Sequence, residues 1–233
     1  MSGRVGVRVA VIIPAYNEEI AISKVLADIP GELASEVIVV NNGSSDATAV
    51  MARAAGATVI EEPQRGYGSA CKRGITYLER RQEKPDIVVF MDGDYADHPE
   101  EMPLLVRPII EEGFDLVIGA RSPAKAEKGA MPLQQALGNQ LIAALIRHLY
   151  GVKCTDLGPF RAIRYDRLLG LQMSDPTYAW PVEMQLKAVR QGLKLGEVPV
   201  SYRRRLGRSK ISGTFSGTLM AGYKIFTAIV KYL

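Results

Sequence analysis

Apolar residues in the first half of the chain come in short, β-branched runs: Val9–Ile13, Val37–Val40, Ala57–Ile60, Ile87–Phe90 and Leu116–Ile118. Each run is continuous rather than alternating, so both of its faces must be covered, as in a parallel sheet held between helices. Between the runs apolar positions recur every three or four residues, which predicts helices over Glu18–Ile29, Asp46–Ala55, Tyr67–Gln82 and Pro99–Glu112, with Asp46 and Pro99 as start signals. The pattern changes after Arg121. Arg121–Pro132, with two prolines and Gly129, predicts a mobile surface loop, and Leu133–Tyr150 an amphipathic helix. A strand over Phe160–Tyr165, a helix over Val182–Gln191, a strand over Glu197–Tyr202 and a closing helix over Phe215–Leu233 follow. No internal repeat interrupts this order. It reads as one α/β domain, 1–233, with a ligand-binding half over 1–120 and an appended half over 121–233.

Composition narrows the class. The 233 residues are 47% hydrophobic and 23% charged, which excludes a disordered, collagen-like or coiled-coil chain. Cys71 and Cys154 stand far apart with no CxxC, so neither a disulfide framework nor a structural zinc site is expected, and a reducing, cytoplasmic setting is. Met1–Arg8 has no signal-like apolar stretch, and the longer apolar runs are broken by Arg147 and Lys224, short of the ~20 residues a spanning helix needs. Lysine and arginine exceed aspartate and glutamate by only 29 to 25, too little to imply nucleic-acid binding.

Ligands of open α/β sheets bind beyond the carboxyl ends of the strands. The residues there are Pro14–Glu18, Asn41–Asp46, Asp92-Gly93-Asp94 and Gly119–Arg121. Neither GxGxxG nor GxxxxGK[ST] occurs, so a dinucleotide fingerprint and a P-loop are both excluded. Asp92 and Asp94 put two hard oxygen ligands in one short turn after a buried run, which suits Mg²⁺ or Mn²⁺. Spacing alone leaves a plain surface turn equally open.

In order and spacing, Pro14-Ala-Tyr-Asn-Glu-Glu19, Asn41–Asp46, Asp92-Gly-Asp94 and Gly119-Ala-Arg121 resemble glycosyltransferase family 2 enzymes of the GT-A fold. Thr155-Asp156, Gly158-Pro-Phe-Arg161, Val182-Glu-Met184, Glu197-Val-Pro-Val200 and Gly207-Arg-Ser-Lys210 resemble the second half of the dolichyl-phosphate mannosyltransferase and polyprenyl-phosphate glycosyltransferase group. The resemblance implies an inverting, metal-dependent hexosyltransferase. It implies that Pro14, Tyr16, Glu18, Val39 and Asn41 line the nucleoside pocket, that Asp92 and Asp94 form the metal set, Asp94 ligating the ion and Asp92 holding the ribose or a metal-bound water, with Gly93 beside them in the nucleotide-sugar site, and that Arg121, Arg204 and Lys210 meet the diphosphate. For Arg203–Lys210, five basic residues in eight, a solvated charge run or a contact with anionic lipid is the competing reading.

Two departures from the family bear on the substrates. Asn41 stands where the family commonly has aspartate, and an amide offers one acceptor where a carboxylate offers two, which favours a UDP-sugar over GDP-mannose. Gln134, Gln135 and Ala136 stand where mannosyl-phosphate enzymes carry basic residues, leaving Lys125, Lys128 and Arg147 to meet an acceptor phosphate. A lipid phosphate attacks as an anion, whereas a hydroxyl acceptor needs a base, for which Glu183 and Asp156 are the candidates beside Asp94 in the catalytic set. Glu183 could equally be a structural carboxylate paired to Arg161 or Lys187, and Trp180 and Tyr178 either an acceptor wall or core. His98, at a helix start, and His148 are not expected to act. The final helix, with Phe215, Leu219, Phe226 and Val230 on one stripe, fits a core or homodimer face, or a peripheral membrane contact.

Overall fold

The computed structural model describes residues 6–131, 133–152 and 154–207, so Lys210 and the Phe215–Leu233 helix lie outside the described residues. Among the described residues seven strands form one sheet: β1 (Val9–Ala15), β2 (Ala34–Asn41), β3 (Thr58–Glu61), β4 (Ile87–Phe90), β5 (Leu116–Ala126), β6 (Arg161–Arg164) and β7 (Leu195–Tyr202), in the order β3-β2-β1-β4-β6-β5-β7. Only β6 runs against its neighbours β4 and β5; the other pairings are parallel. The helices are α1 (Ile22–Asp28), α2 (Thr48–Ala54), α3 (Tyr67–Arg80), α4 (Met102–Glu111), α5 (Leu133–Tyr150), α6 (Tyr165–Gly170) and α7 (Trp180–Arg190). The continuous apolar runs are sandwiched as their pattern requires. Odd positions of β1 (Val9, Val11, Ile13) pack under α1 and α4, and even positions (Ala10, Ile12) under α3 and α7.

Three expectations shift for local physical reasons. The helix expected from Glu18 starts at Ile22, because Glu18 closes a turn instead: its amide donates to Thr48 Oγ1 at 2.8 Å and its carbonyl accepts from Ala21 and Ile22. Pro99–Glu112 divides into a 3₁₀ turn (Pro99–Glu101) and α4, where Pro103 lacks the N–H that would continue the first ladder. The segment expected as a mobile loop from Arg121 is strand as far as Ala126, since β5 continues alongside β7 with pairs Arg121↔Val200 and, after a register shift, Ala126↔Tyr202. The short α6 was not expected; it follows directly on β6.

The start of α3 meets the 175–177 segment backbone to backbone. Gly68 donates to Thr177 O at 3.2 Å and Ser69 to Pro176 O at 3.1 Å. A Cβ on Gly68 would lie 1.9 Å from Asp175 O, and one on Gly66, whose φ is +147°, 2.1 Å from Pro176 O. Glycine is required at both positions by close approach. Gly68→Ala is therefore expected to lower stability by about 1–3 kcal/mol, the usual range for overpacking, whereas Gly31→Ala, with nothing within 4 Å, should be near neutral. Thermal denaturation of the two variants checks this, and equal melting temperatures would contradict it.

Candidate active site

The carboxyl ends of β1, β2 and β4 open into a cavity of about 260 Å³, lined by Pro14, Tyr16, Glu18, Asn42, Arg65, Gly66, Tyr67, Asp92, Gly93, Asp94, Thr177, Tyr178 and Arg205 among others. Its rim carries backbone strain: Asn17 (φ 53°) and Tyr95 (φ 65°) are left-handed non-glycine residues directly beside the first and fourth strand-end motifs. Side chains over-determine both. Asn17 donates its backbone N–H to Ser44 Oγ and accepts on Oδ1 from Ser45 N–H, while the Tyr95 hydroxyl donates to Asp28 at 2.6 Å.

Three carboxylates crowd the end of β4. Asp94 is 5% and Asp97 2% exposed, and Asp92 tucks its Oδ1 inside. Burial first, and then the neighbouring Asp94 and Asp97 charges, push Asp92 well above the usual carboxylate range; Asp97 is raised by burial and by Asp94. Asp92 Oδ1 and Asp97 Oδ1 are buried with no hydrogen-bond partner among the described residues. The counter-charge arrives from β7. Past Tyr202 the chain runs back along the turn, Arg203 N–H donating to Ala96 O and Leu206 N–H to Asp94 O, each at 2.9 Å.

That course gives the three consecutive arginines three different tasks. Arg203 lies 3.4 Å over the Tyr95 ring and donates to the Tyr95 and Asp97 carbonyls. Arg204 is bound to the Lys128 carbonyl, away from the cavity. Arg205 reaches in and pairs with Asp94 at 3.1 Å. Of the basic stretch, then, the structure brings Arg205 to the cavity in place of Arg204.

Several other expected site residues carry the scaffold. Val39 is fully buried in the core. Arg121 holds Asp156 with Nε at 2.7 Å and Nη2 at 2.6 Å, and its backbone N–H adds a third bond at 2.8 Å. Burial alone would raise the Asp156 carboxyl, but those bonds and the guanidinium charge outweigh it and hold it below its usual value. Glu183 is fully buried and accepts from Ser174 N–H and Oγ–H, from Asp175 N–H and from Lys187 at 2.8 Å. Arg161 is buried among the carbonyls of Leu157, Gly158 and Pro181, and burial lowers it to about 10. Trp180 packs edge-on against Phe90, while Tyr178 lines the cavity. His98 pairs with Glu100, and His148 is exposed on α5.

Asn41 does not line the cavity. Its amide donates to Glu61 Oε2 at 2.7 Å across β2–β3 and its oxygen accepts from Ser44 N–H at 3.3 Å. An aspartate there would face the Glu61 carboxylate, a physical reason for the amide. Its neighbour Asn42 reaches the cavity instead. Asn42, Arg65, Gly66, Asp97 and Arg205 were not singled out by sequence, although the strand-end rule applied to Ala57–Ile60 points at Arg65 and Gly66.

A second cavity, about 740 Å³, opens between β5, β7 and α5, lined by Arg121, Glu127, Lys128, Asn139, Gln140 and Glu197 among others. Next to it α5 exposes Leu137 and Leu141, 56% and 72% accessible and one turn apart. Both cysteines are buried free thiols. Among the described residues no helix is long and apolar enough to cross a membrane.

A seven-stranded mixed sheet with acidic strand-end turns around an open cavity is the GT-A architecture, and the family comparison agrees. The family model for glycosyl transferase family 2 matches residues 10–169, and the chain belongs to that family of glycosyltransferases. It is 34% identical over 219 residues to the dolichyl-phosphate hexose transferase of Haloferax volcanii, covering 93% of this chain and 91% of that one. To the undecaprenyl-phosphate mannosyltransferase of Micrococcus luteus it is 31% identical over 223 residues, covering 90% of each. Among solved structures, glucosyl-3-phosphoglycerate synthase from Mycobacterium tuberculosis in complex with Mn²⁺ and UDP-glucose superimposes with a TM-score of 0.76 at 26% identity, over 98% of this chain and 80% of that one.

Breaking a buried ion pair leaves a charge uncompensated, so Asp156→Asn is expected to cost about 3–5 kcal/mol at neutral pH. The sign with pH follows from the depressed Asp156 value. The stabilisation is complete above the ordinary aspartate pKa of about 3.9 and fades as pH falls through the lower folded value. Denaturant titration at pH 7 and again below pH 4 should show the native-to-variant difference shrinking; a difference independent of pH would contradict the pairing.

Proposed function

We propose that this glycosyltransferase moves a hexose from a nucleotide-diphosphate sugar, a UDP-sugar in preference to GDP-mannose, to the phosphate of a polyprenyl or dolichyl lipid, with inversion at the anomeric carbon; the UDP preference is supported by the UDP-glucose complex of the similar synthase and not by Asn41, which lies outside the donor cavity. The observation that carries the acceptor class is the occupation of both candidate bases: Asp156 is clasped by Arg121, and Glu183 by Ser174, Asp175 and Lys187. An acceptor that is already an anion needs no proton removed. Two lipid-phosphate hexosyltransferases among the full-length relatives, and the exposed Leu137 and Leu141 beside the second cavity, support the same reading.

The donor would lie in the first cavity, with its base at Tyr16 and its diphosphate toward Asp92, Asp94 and Arg205. Two hard carboxylates, one with a buried and unpartnered oxygen, fit a Mg²⁺ or Mn²⁺ ion. Among the described residues no group of three His, Cys, Asp or Glu is arranged to hold a metal ion by itself, so substrate and water oxygens would complete the coordination. Bound there, the ion would stabilise charge on the departing diphosphate. Arg205 is placed to leave Asp94 for the diphosphate, adding a forked donor as the glycosidic bond breaks. Arg121, its charge paired to Asp156, stiffens the wall of the acceptor cavity, and Lys128 in the same lining would meet the incoming phosphate. A hydroxyl acceptor is the second reading, favoured by the amides Asn139 and Gln140 and by the carboxylates Glu127 and Glu197 in that cavity. Work at the lipid surface calls for peripheral attachment at the cytoplasmic membrane face.

The test is transfer from labelled UDP- and GDP-hexoses, with Mn²⁺, to polyprenyl phosphate in detergent and to water-soluble hydroxyl acceptors. Label should enter the organic phase as an acid-labile glycolipid, with UDP-sugars used at least tenfold better than GDP-mannose. Label confined to water-soluble products would overturn the lipid acceptor, and preference for GDP-mannose would overturn the uracil assignment.

A further inference from the structure

One contact closes the nucleoside end of the first cavity. The Arg65 guanidinium carbon lies 3.1 Å from the centroid of the Tyr16 ring, and both residues line the cavity. Arg65 is exposed, and among the described residues no carboxylate pairs with it. Among the described residues its planar head is held by the ring alone, yet its backbone is firmly placed. Asn42 donates from Nδ2 to Glu62 O at 3.0 Å and to Gln64 O at 2.7 Å, and its Oδ1 accepts from Gly66 N–H at 2.8 Å. Gly43 leaves room for the stem, since a Cβ there would stand 3.2 Å from Arg65 Cδ. The side chain is thus a planar cation on a fixed base, resting on the face that a heterocycle would need.

We infer that Arg65 is the roof of the nucleobase site: the base enters between the Tyr16 ring and the Arg65 guanidinium and is stacked on both faces, with Asn42 as the positioning residue that keeps the roof above the floor. The inference rests on the reading that this cavity takes the donor nucleotide. Displacing an exposed cation–π contact costs little, because that contact is weak, and the guanidinium regains a π-face on the far side of the base. Lifting the head by one stacking distance needs only rotation about the unbranched Arg65 stem. Stacking is tolerant of base identity, so Arg65 sets the strength of nucleoside binding and leaves the choice of base to other residues.

The experiment compares UDP with Mn²⁺, GDP with Mn²⁺, and metal-free uridine as titrants of the native protein, Arg65→Ala and Arg65→Lys, by calorimetry for the nucleotides and NMR titration for uridine. Arg65 is exposed, so both variants should fold, and unchanged melting temperatures verify it. Arg65→Ala should weaken UDP, GDP and uridine by a similar factor of about fivefold or more, and Arg65→Lys should restore little, because an ammonium has no planar face. Binding by Arg65→Ala as tight as native or tighter would overturn the roof and leave the guanidinium a mere occupant of the platform. A loss for UDP with uridine unchanged would overturn it in favour of a phosphate contact. If the native protein binds neither UDP nor GDP, the donor reading fails and the inference with it; native binding that Arg65→Ala leaves unchanged removes the inference alone.

Discussion

Like charge concentrated at the end of an apolar strand is the constraint around which the molecule is arranged. Ile87–Phe90 is wholly buried at the middle of the sheet, and the next seven residues deliver Asp92, Asp94 and Asp97 into one largely buried turn. Burial and mutual repulsion both oppose ionisation there, so the turn needs positive charge from elsewhere. The chain after β7 supplies it, hydrogen-bonded along the turn so that Arg205 meets Asp94. That pairing leaves Asp92 Oδ1 and Asp97 Oδ1 buried without partners among the described residues, which is expensive for folding alone and useful for holding a cation and an anionic leaving group.

Charges elsewhere divide into those that hold the frame and those left for substrate. Arg121–Asp156 ties β5 to the loop after α5, Glu183 with Lys187 fixes the segment facing α3, and Arg161 gathers three carbonyls of the 157–181 region. Each is buried and satisfied inside the protein, so each stiffens the walls of a cavity whose own lining is less committed. Arg65 and Arg205 both line the first cavity, one on an aromatic face and one on a carboxylate, contacts a nucleoside diphosphate could replace in kind.

The sheet was legible in the sequence because continuous β-branched runs have only one way to bury both faces, and every run became a strand. What was missed depended on partners distant in sequence. Arg121–Ala126 has loop composition, yet pairing with β7 makes it strand. The acidic turn was legible as a cluster, whereas the allocation among Arg203, Arg204 and Arg205 was not, since it depends on the path of the chain over Asp94 and Ala96. Glu183 was open in the sequence to a catalytic reading or to a pairing with Arg161 or Lys187, and the fold pairs it with Lys187; that Asp156 is clasped by Arg121 appears only once the chain is folded. Asn41 was legible as a departure, but its reason, Glu61 across the strand pair, appears only with the register.

The most direct measurement is anomalous diffraction at the manganese edge from crystals grown with Mn²⁺ and UDP. A peak within ligand distance of Asp94 and Asp92, with the Arg205 guanidinium moved from Asp94 to the diphosphate, is the predicted result. UDP bound while the Arg205–Asp94 pair stays intact and the metal lies elsewhere would contradict the assignment of this turn as the donor site.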